Sequence, residues 1–290
     1  MSEKFVQILK KYDESLDKAH IQQYSLSTQI STGGFSFAIF HNDLNKYLSI
    51  EAVEWEKDGD PVEQVKSLSS FINSHEWLNQ PYPSALVLLE TPLSTLVPEP
   101  LFNQDQVKKI ANFNFNVPAD HILLSDRINA IDARLIYPVS ELLMRKILEF
   151  QPNHKISSHI SSYIELLLTH HKNQHQQKLM FVNIRTGSFD IVISEGRRLL
   201  FQNSFLYTSR EDVIYYIIFV MEQLGINPEE TEILLSGIVD RDSKLYEIMR
   251  KYVRHINFLE LSDQFSYSYH FSDVPQHYFF NLINSRLCEL

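Results

Sequence analysis

The sequence predicts an α/β fold built from two similar halves, each begun by a β meander. Three observations predict it. Segments 24–31, 35–40 and 46–53 are rich in β-formers and broken by Gly33-Gly34 and Asn42-Asp43. Segments 178–184, 189–194 and 198–205 repeat that pattern, turned at Thr186-Gly187 and Glu195-Gly196. With Gly33 placed over Gly187, 154 residues on, Ile30, Thr32, Gly33, Phe35 and Ile39 each meet an identical residue. A helix and a buried strand then follow each meander, which carries the match beyond the hairpins. The expected division is 1–155 for the first domain and 156–290 for the second.

In chain order, Asp60-Pro61 opens a helix, because proline at a first-turn position loses no hydrogen bond, and Val62, Val65, Leu68 and Ile72 recur at helical spacing. Segment 85–89 is a buried strand. Segment 91–104 holds Pro92, Pro98 and Pro100 and reads as an irregular crossing. A helix over 104–111, strands over 121–125 and 132–137, and a helix over 139–150 follow. The polar stretch 151–158 is the boundary candidate, and 160–170 is a helix with Ile164, Leu167 and Leu168 on one face. After the second meander, Thr208 and Glu211 have capping-box spacing, and Gly225 sits where a left-handed helix end belongs. Between them 213–220 is apolar nearly all round, the pattern of a helix buried on every side. A strand over 232–235, a helix over 240–252, a strand over 256–259 and a terminal helix over 278–287 complete the chain.

Composition limits function. Lys and Arg number 26 against 36 Asp and Glu, for a net charge of −10, which opposes a nucleic-acid partner because phosphate binding needs a basic face. The longest apolar stretch, 213–221, is far shorter than the roughly 20 residues that a membrane span needs. A single cysteine, Cys288, excludes an internal disulfide and suits a reducing compartment; with no signal-peptide pattern at the start, the expected location is cytoplasmic.

The run Val182-Asn183-Ile184-Arg185-Thr186-Gly187-Ser188-Phe189-Asp190 resembles the second phosphate loop, V-D-I-G-G-G-T-T-D, of the actin-like ATPase superfamily, which includes actin, Hsp70 chaperones and sugar kinases. Leu234-Leu235-Ser236-Gly237-Ile238 is similar to that superfamily's adenosine motif. The chain also resembles FtsA, the pilus and secretion assembly proteins, and an uncharacterised bacterial family of this fold. The resemblance implies two ribonuclease H-like domains around a nucleotide cleft lined by Gln29, Thr32, Gly33, Asn183, Arg185, Thr186, Gly187 and Gly237. It also implies an aspartate at each phosphate loop to hold magnesium, and glycines that let backbone N–H groups approach phosphate. Here those aspartate positions hold Gln29 and Asn183, whose neutral amides lack the anionic oxygen a hard cation prefers. Ser31, Arg185 and Thr186 replace loop glycines, and Ile238 replaces a glycine under the adenine. Seven glycines in 290 residues is well below the usual share of about 7%.

The expectation is therefore a non-catalytic actin-like protein that binds another macromolecule, most simply a protein, with no catalytic residue, no metal and no cofactor. The alternative is a divergent ATPase or phosphotransferase that uses Mg-ATP, with Asp43, Asp190 or Asp240 supplying the carboxylate. Arg185 could contact an anion or be a paired turn arginine. His170, His171 and His175 invite a metal reading or a polar loop. Asp126 and Asp132, flanked by Arg127 and Arg134, read as a solvated hairpin or a catalytic pair. Ser188 and Ser204 lack a nucleophile elbow. The aromatic-rich segment 265–280 reads as core or strand pairing, with a partner surface as the alternative.

Overall fold

The computed structural model describes residues 5–55, 61–151, 154–169 and 177–288. The strand β1 (Phe5–Tyr12) leads into the first meander, β2 (Tyr24–Ile30), β3 (Gly34–His41) and β4 (Lys46–Trp55). Helix α1 (Pro61–Ser74) and strand β5 (Ser84–Leu89) follow. A small sheet is then inserted, with β6 (Thr95–Pro98), helix α2 (Val107–Asn114), β7 (His121–Ile128) and β8 (Ala133–Ser140) in the order β6-β8-β7. Helix α3 (Glu141–Phe150) leads to β9 (His154–Ser158) and α4 (His159–Thr169).

The second meander is β10 (Lys178–Arg185), β11 (Ser188–Glu195) and β12 (Arg198–Leu206), followed by α5 (Arg210–Gln223), β13 (Glu232–Gly237), α6 (Lys244–Tyr252) and β14 (His255–Phe258). The chain closes with β15 (Ser266–Tyr267) and α7 (Phe280–Asn284). The two large sheets run β1-β4-β3-β2-β5-β9 and β12-β11-β10-β13-β14. Leaving β1 aside, both follow the order third, second, first, fourth, fifth strand. The register agrees as well: Gln29 lies opposite Ser36, and Asn183 opposite Asp190.

Alternation along β10 assigns its two faces. Met180, Val182 and Ile184 point into the core beneath α5 and α6. Leu179 and Phe181 point the other way, into a core shared with Tyr163, Ile164 and Leu167 of α4 and with the first sheet. Helix α4 thus lies between the sheets, and at the carboxyl end of β10 the inward face carries Asn183 and Arg185.

Several sequence expectations need correction. Within the 151–158 boundary candidate, 154–158 is a strand the sequence did not predict, β9, pairing parallel to β5. Strand β15 pairs with β4, so the first sheet draws strands from both sides of residue 155. The N-terminal strand β1 and the short β6 carried no alternation strong enough to be read. Strand β8 runs on to Ser140, so α3 begins at Glu141 instead of Val139. The α5 cap is Ser209, whose side chain accepts from the Asp212 N–H, and the Asp212 carboxylate answers from the other side; the Thr208 and Glu211 pairing was one residue out of register. Helix α5 is not buried all round, since Tyr215 is 62% and Phe219 42% exposed. Asp60 and His170, His171 and His175 lie outside the described residues. Among the described residues, no helix is long and apolar enough to cross a membrane.

Candidate functional site

The carboxyl ends of β2, β5, β10 and β13 converge on a cleft between the two sheets, the position at which open α/β sheets place their sites. Gln29, Gly33, Asn183, Arg185, Thr186 and Gly237 all line it. Thr32 and Gly187 do not: they are exposed on the outer tips of their turns, although Gly187 keeps the positive φ of 72° expected at such a turn.

The centre of the cleft is a buried polar network. Asp190 faces inward from β11, and its two oxygens accept five hydrogen bonds: from His159 Nε2 (3.0 Å), Asn183 Nδ2 (3.1 Å), Arg185 Nε (3.0 Å) and Nη2 (2.7 Å), and Ser204 Oγ (2.6 Å). Burial alone would raise this carboxyl, but the charges of Arg185 and His159 and their hydrogen bonds hold it well below the usual carboxylate range. Burial would conversely lower the Arg185 guanidinium, and Asp190 and Glu90 keep it above its ordinary value. On its outer side Arg185 Nη1 lies 3.8 Å from Glu90 Oε2, with both side chains 8% exposed.

The two amides now have a physical explanation. Asn183 Nδ2 donates to Asp190, while its Oδ1 accepts from Ser236 Oγ at 3.1 Å. Gln29 Nε2 donates to Glu90 Oε1 at 2.5 Å. Each amide gives a buried carboxylate a donor that an aspartate in its place could not supply. Two carboxylates at that spacing would repel.

The network also joins the halves. His159, the first residue of α4, sets Nδ1 3.1 Å from the Leu89 carbonyl and Nε2 3.0 Å from Asp190, so both ring nitrogens face acceptors. The Tyr163 hydroxyl meets that of Ser236 at 2.8 Å. Across the mouth, a Cβ added to Gly33 would stand 3.4 Å from Thr186 Cβ, so any side chain at position 33 would meet the second hairpin turn. The space left is a cavity of about 140 Å³, against the roughly 300–1,000 Å³ typical of small-molecule sites.

The far wall is made by the C-terminal segment. Gly237 has φ 82°, and a Cβ there would come within 1.9 Å of the Ile184 carbonyl, so close backbone approach explains this glycine. Its N–H donates to the His277 carbonyl, and Tyr278 and Phe279 line the cavity. Tyr278 in turn donates to Asp240 at 2.6 Å. The aromatic segment is mainly packing: Tyr267 stacks on Tyr47, Phe265 meets it edge-on, and Phe271 joins the same cluster.

Among the other sequence candidates, Asp43 is exposed in the β3–β4 turn, at the opposite end of the strands from the cleft. Asp126 accepts from the Tyr137 hydroxyl and from Ser157 and Ser158 at the end of β9, whereas Asp132 stands exposed beside Arg127. Arg134 pairs with Glu99. Ser204 serves as a donor to Asp190. Burial pushes the Cys288 thiol up to about 12, against hydrogen bonding from Ser162. The sequence reading missed Glu90, His159 and Tyr163, and quoted Ser236 within a motif without making it a site residue. Glu90 was findable, because it directly follows the buried strand 85–89, at the strand end where sites form.

The chain belongs to the family described as "Protein of unknown function (DUF3822)", which matches residues 13–256. Among solved structures it is similar to a Bacteroides thetaiotaomicron protein with an actin-like ATPase fold and unknown function, at 23% identity, TM-score 0.73, and coverage of 84% of this chain and 93% of that one. It is also similar to the PilM-PilN type IV pilus biogenesis complex, at 8% identity, TM-score 0.60, and coverage of 90% and 95%. The fold is therefore the actin-like ATPase fold. No curated protein matches the chain.

Proposed function

We propose that this chain is a non-catalytic actin-fold protein that acts by binding a macromolecular partner, with its ancestral-type cleft held shut by its own side chains. The observation that carries the reading is Arg185, whose buried guanidinium lies between Asp190 and Glu90. The fold family implies Mg-ATP, and the residues present do not fit it. The oxygens of Asp190 are spent on five donors of the chain, the Thr186 side chain stands across the mouth from Gly33, and the space left between them is about 140 Å³. Asp240, the remaining carboxylate of the alternative reading, is held by Tyr278.

The likeness to a protein solved in the PilM-PilN complex supports the partner half of the reading, as a precedent for this fold engaged with another protein. The partner is proposed to be a protein and not a nucleic acid, because a net charge of −10 opposes a phosphate backbone.

Phosphate release from Mg-ATP tests the catalytic half. The reading predicts no release above buffer by the purified chain. Steady release that disappears in Asp190→Asn would replace it with the ATPase alternative.

A further inference from the structure

Resting on the reading of the protein as a macromolecular binder, we infer that the outer groove between α5 and α6 docks an amphipathic helix of a partner protein, one that carries Lys or Arg at both ends of its apolar stripe. Helix α5 presents Glu211, Tyr215, Ile218, Phe219 and Glu222 at spacings of three and four, which place them on one face. Tyr215 and Phe219 are stacked with centroids 6.1 Å apart, yet remain 62% and 42% exposed. Ile248 and Tyr252 of α6 form the second wall of the groove, and Tyr252 is 53% exposed.

This face is apolar where a surface helix is ordinarily polar, and it lies on the side of α5 away from the sheet. Charge selects the occupant. The only charged residues lining the groove are Glu211 and Glu222, and among the described residues neither has an ion-pair partner. They stand eleven residues apart, about 16 Å along the helix axis. A matching helix thus places basic residues about eleven apart, with apolar side chains between them. An anionic membrane surface would be repelled by both carboxylates. A second copy docked antiparallel would set Glu211 against Glu222 of the other chain, which like-charge repulsion opposes.

The test is a photo-cross-linking amino acid placed at Tyr215 of the full chain in its native cells, beside a scan of other exposed positions that includes Phe113 on α2, 89% exposed. The expected product is a protein segment with helical apolar spacing and Lys or Arg about eleven residues apart. A synthetic peptide of that segment should then bind the purified chain and lose at least tenfold in affinity with Phe219→Ala and with Glu211→Gln plus Glu222→Gln, but not with Phe113→Ala. These positions are exposed, and unchanged thermal unfolding of the variants confirms that they fold. Cross-links from position 215 to lipid, to a second copy or to a segment lacking cations would overturn the inference. Products at other positions with none at 215 would overturn it while leaving the binder reading intact. No product at any position would remove both.

Discussion

Replacing Arg185 with Met removes the guanidinium and leaves Asp190 and Glu90 buried without it. Taking one partner from a buried ion pair costs about 3–5 kcal/mol, because the remaining charge stays desolvated. At roughly 2 °C per kcal/mol for a chain of this size, the midpoint of thermal unfolding should fall by about 6–10 °C. The assay is a double-mutant cycle with Asp190→Asn, followed by denaturant unfolding. Asp190 holds both close contacts to Arg185, at 2.7 and 3.0 Å, whereas Glu90 stands at 3.8 Å. In the Asp190→Asn background, Arg185→Met should therefore cost less by at least about 1.5 kcal/mol, as coupled buried charges require. Additivity within about 0.5 kcal/mol would refute the claim that these side chains act as one unit.

Further predictions concern the same network and its supports. Asn183→Asp sets a second carboxylate beside Asp190, so unfolding measured at neutral pH should show lower stability, with the loss shrinking as acid neutralises the pair. Because the folded-state carboxyl of Asp190 lies below its ordinary 3.8, its contribution is fully present above that value and is lost as pH falls below it. The stability difference between the unmodified chain and Asp190→Asn should accordingly narrow below about pH 4, and a difference constant from pH 7 to pH 3 would contradict the shift. Gly237→Ala meets the Ile184 carbonyl at 1.9 Å from a backbone of positive φ, and should cost at least about 3 kcal/mol in urea unfolding. Ser209→Ala removes the true cap of α5 and should cost about 1 kcal/mol, with Thr208→Ala costing less.

The elements legible in the sequence were those with strong local signals. Both meanders announced themselves through glycine turns and runs of β-formers, and the match of Gly33 with Gly187 pointed to two sheets that share a five-strand order, to which the first adds β1 and β15. What stayed hidden depended on distant pairing. Strand β9 is short and polar at its start and exists because β5 offers it a parallel edge; β15 is two residues held by β4. At the site, the substitutions Gln29, Asn183 and Arg185 were visible, but their meaning was not. Sequence described the two amides as lost magnesium ligands. The geometry describes them as donors to Glu90 and Asp190, and Glu90 and His159 entered the cleft from segments that no motif flagged. Helix α5 misled for a related reason: an all-round apolar pattern signals burial by something, and the second layer over Tyr215 and Phe219 is absent among the described residues.

The most direct test of the closed cleft is thermal unfolding of the unmodified chain with and without excess Mg-ATP. The account predicts coincident transitions. A nucleotide present at one hundred times its dissociation constant would stabilise the chain by about 2.7 kcal/mol, roughly 5 °C here, and a shift of that size would contradict the account.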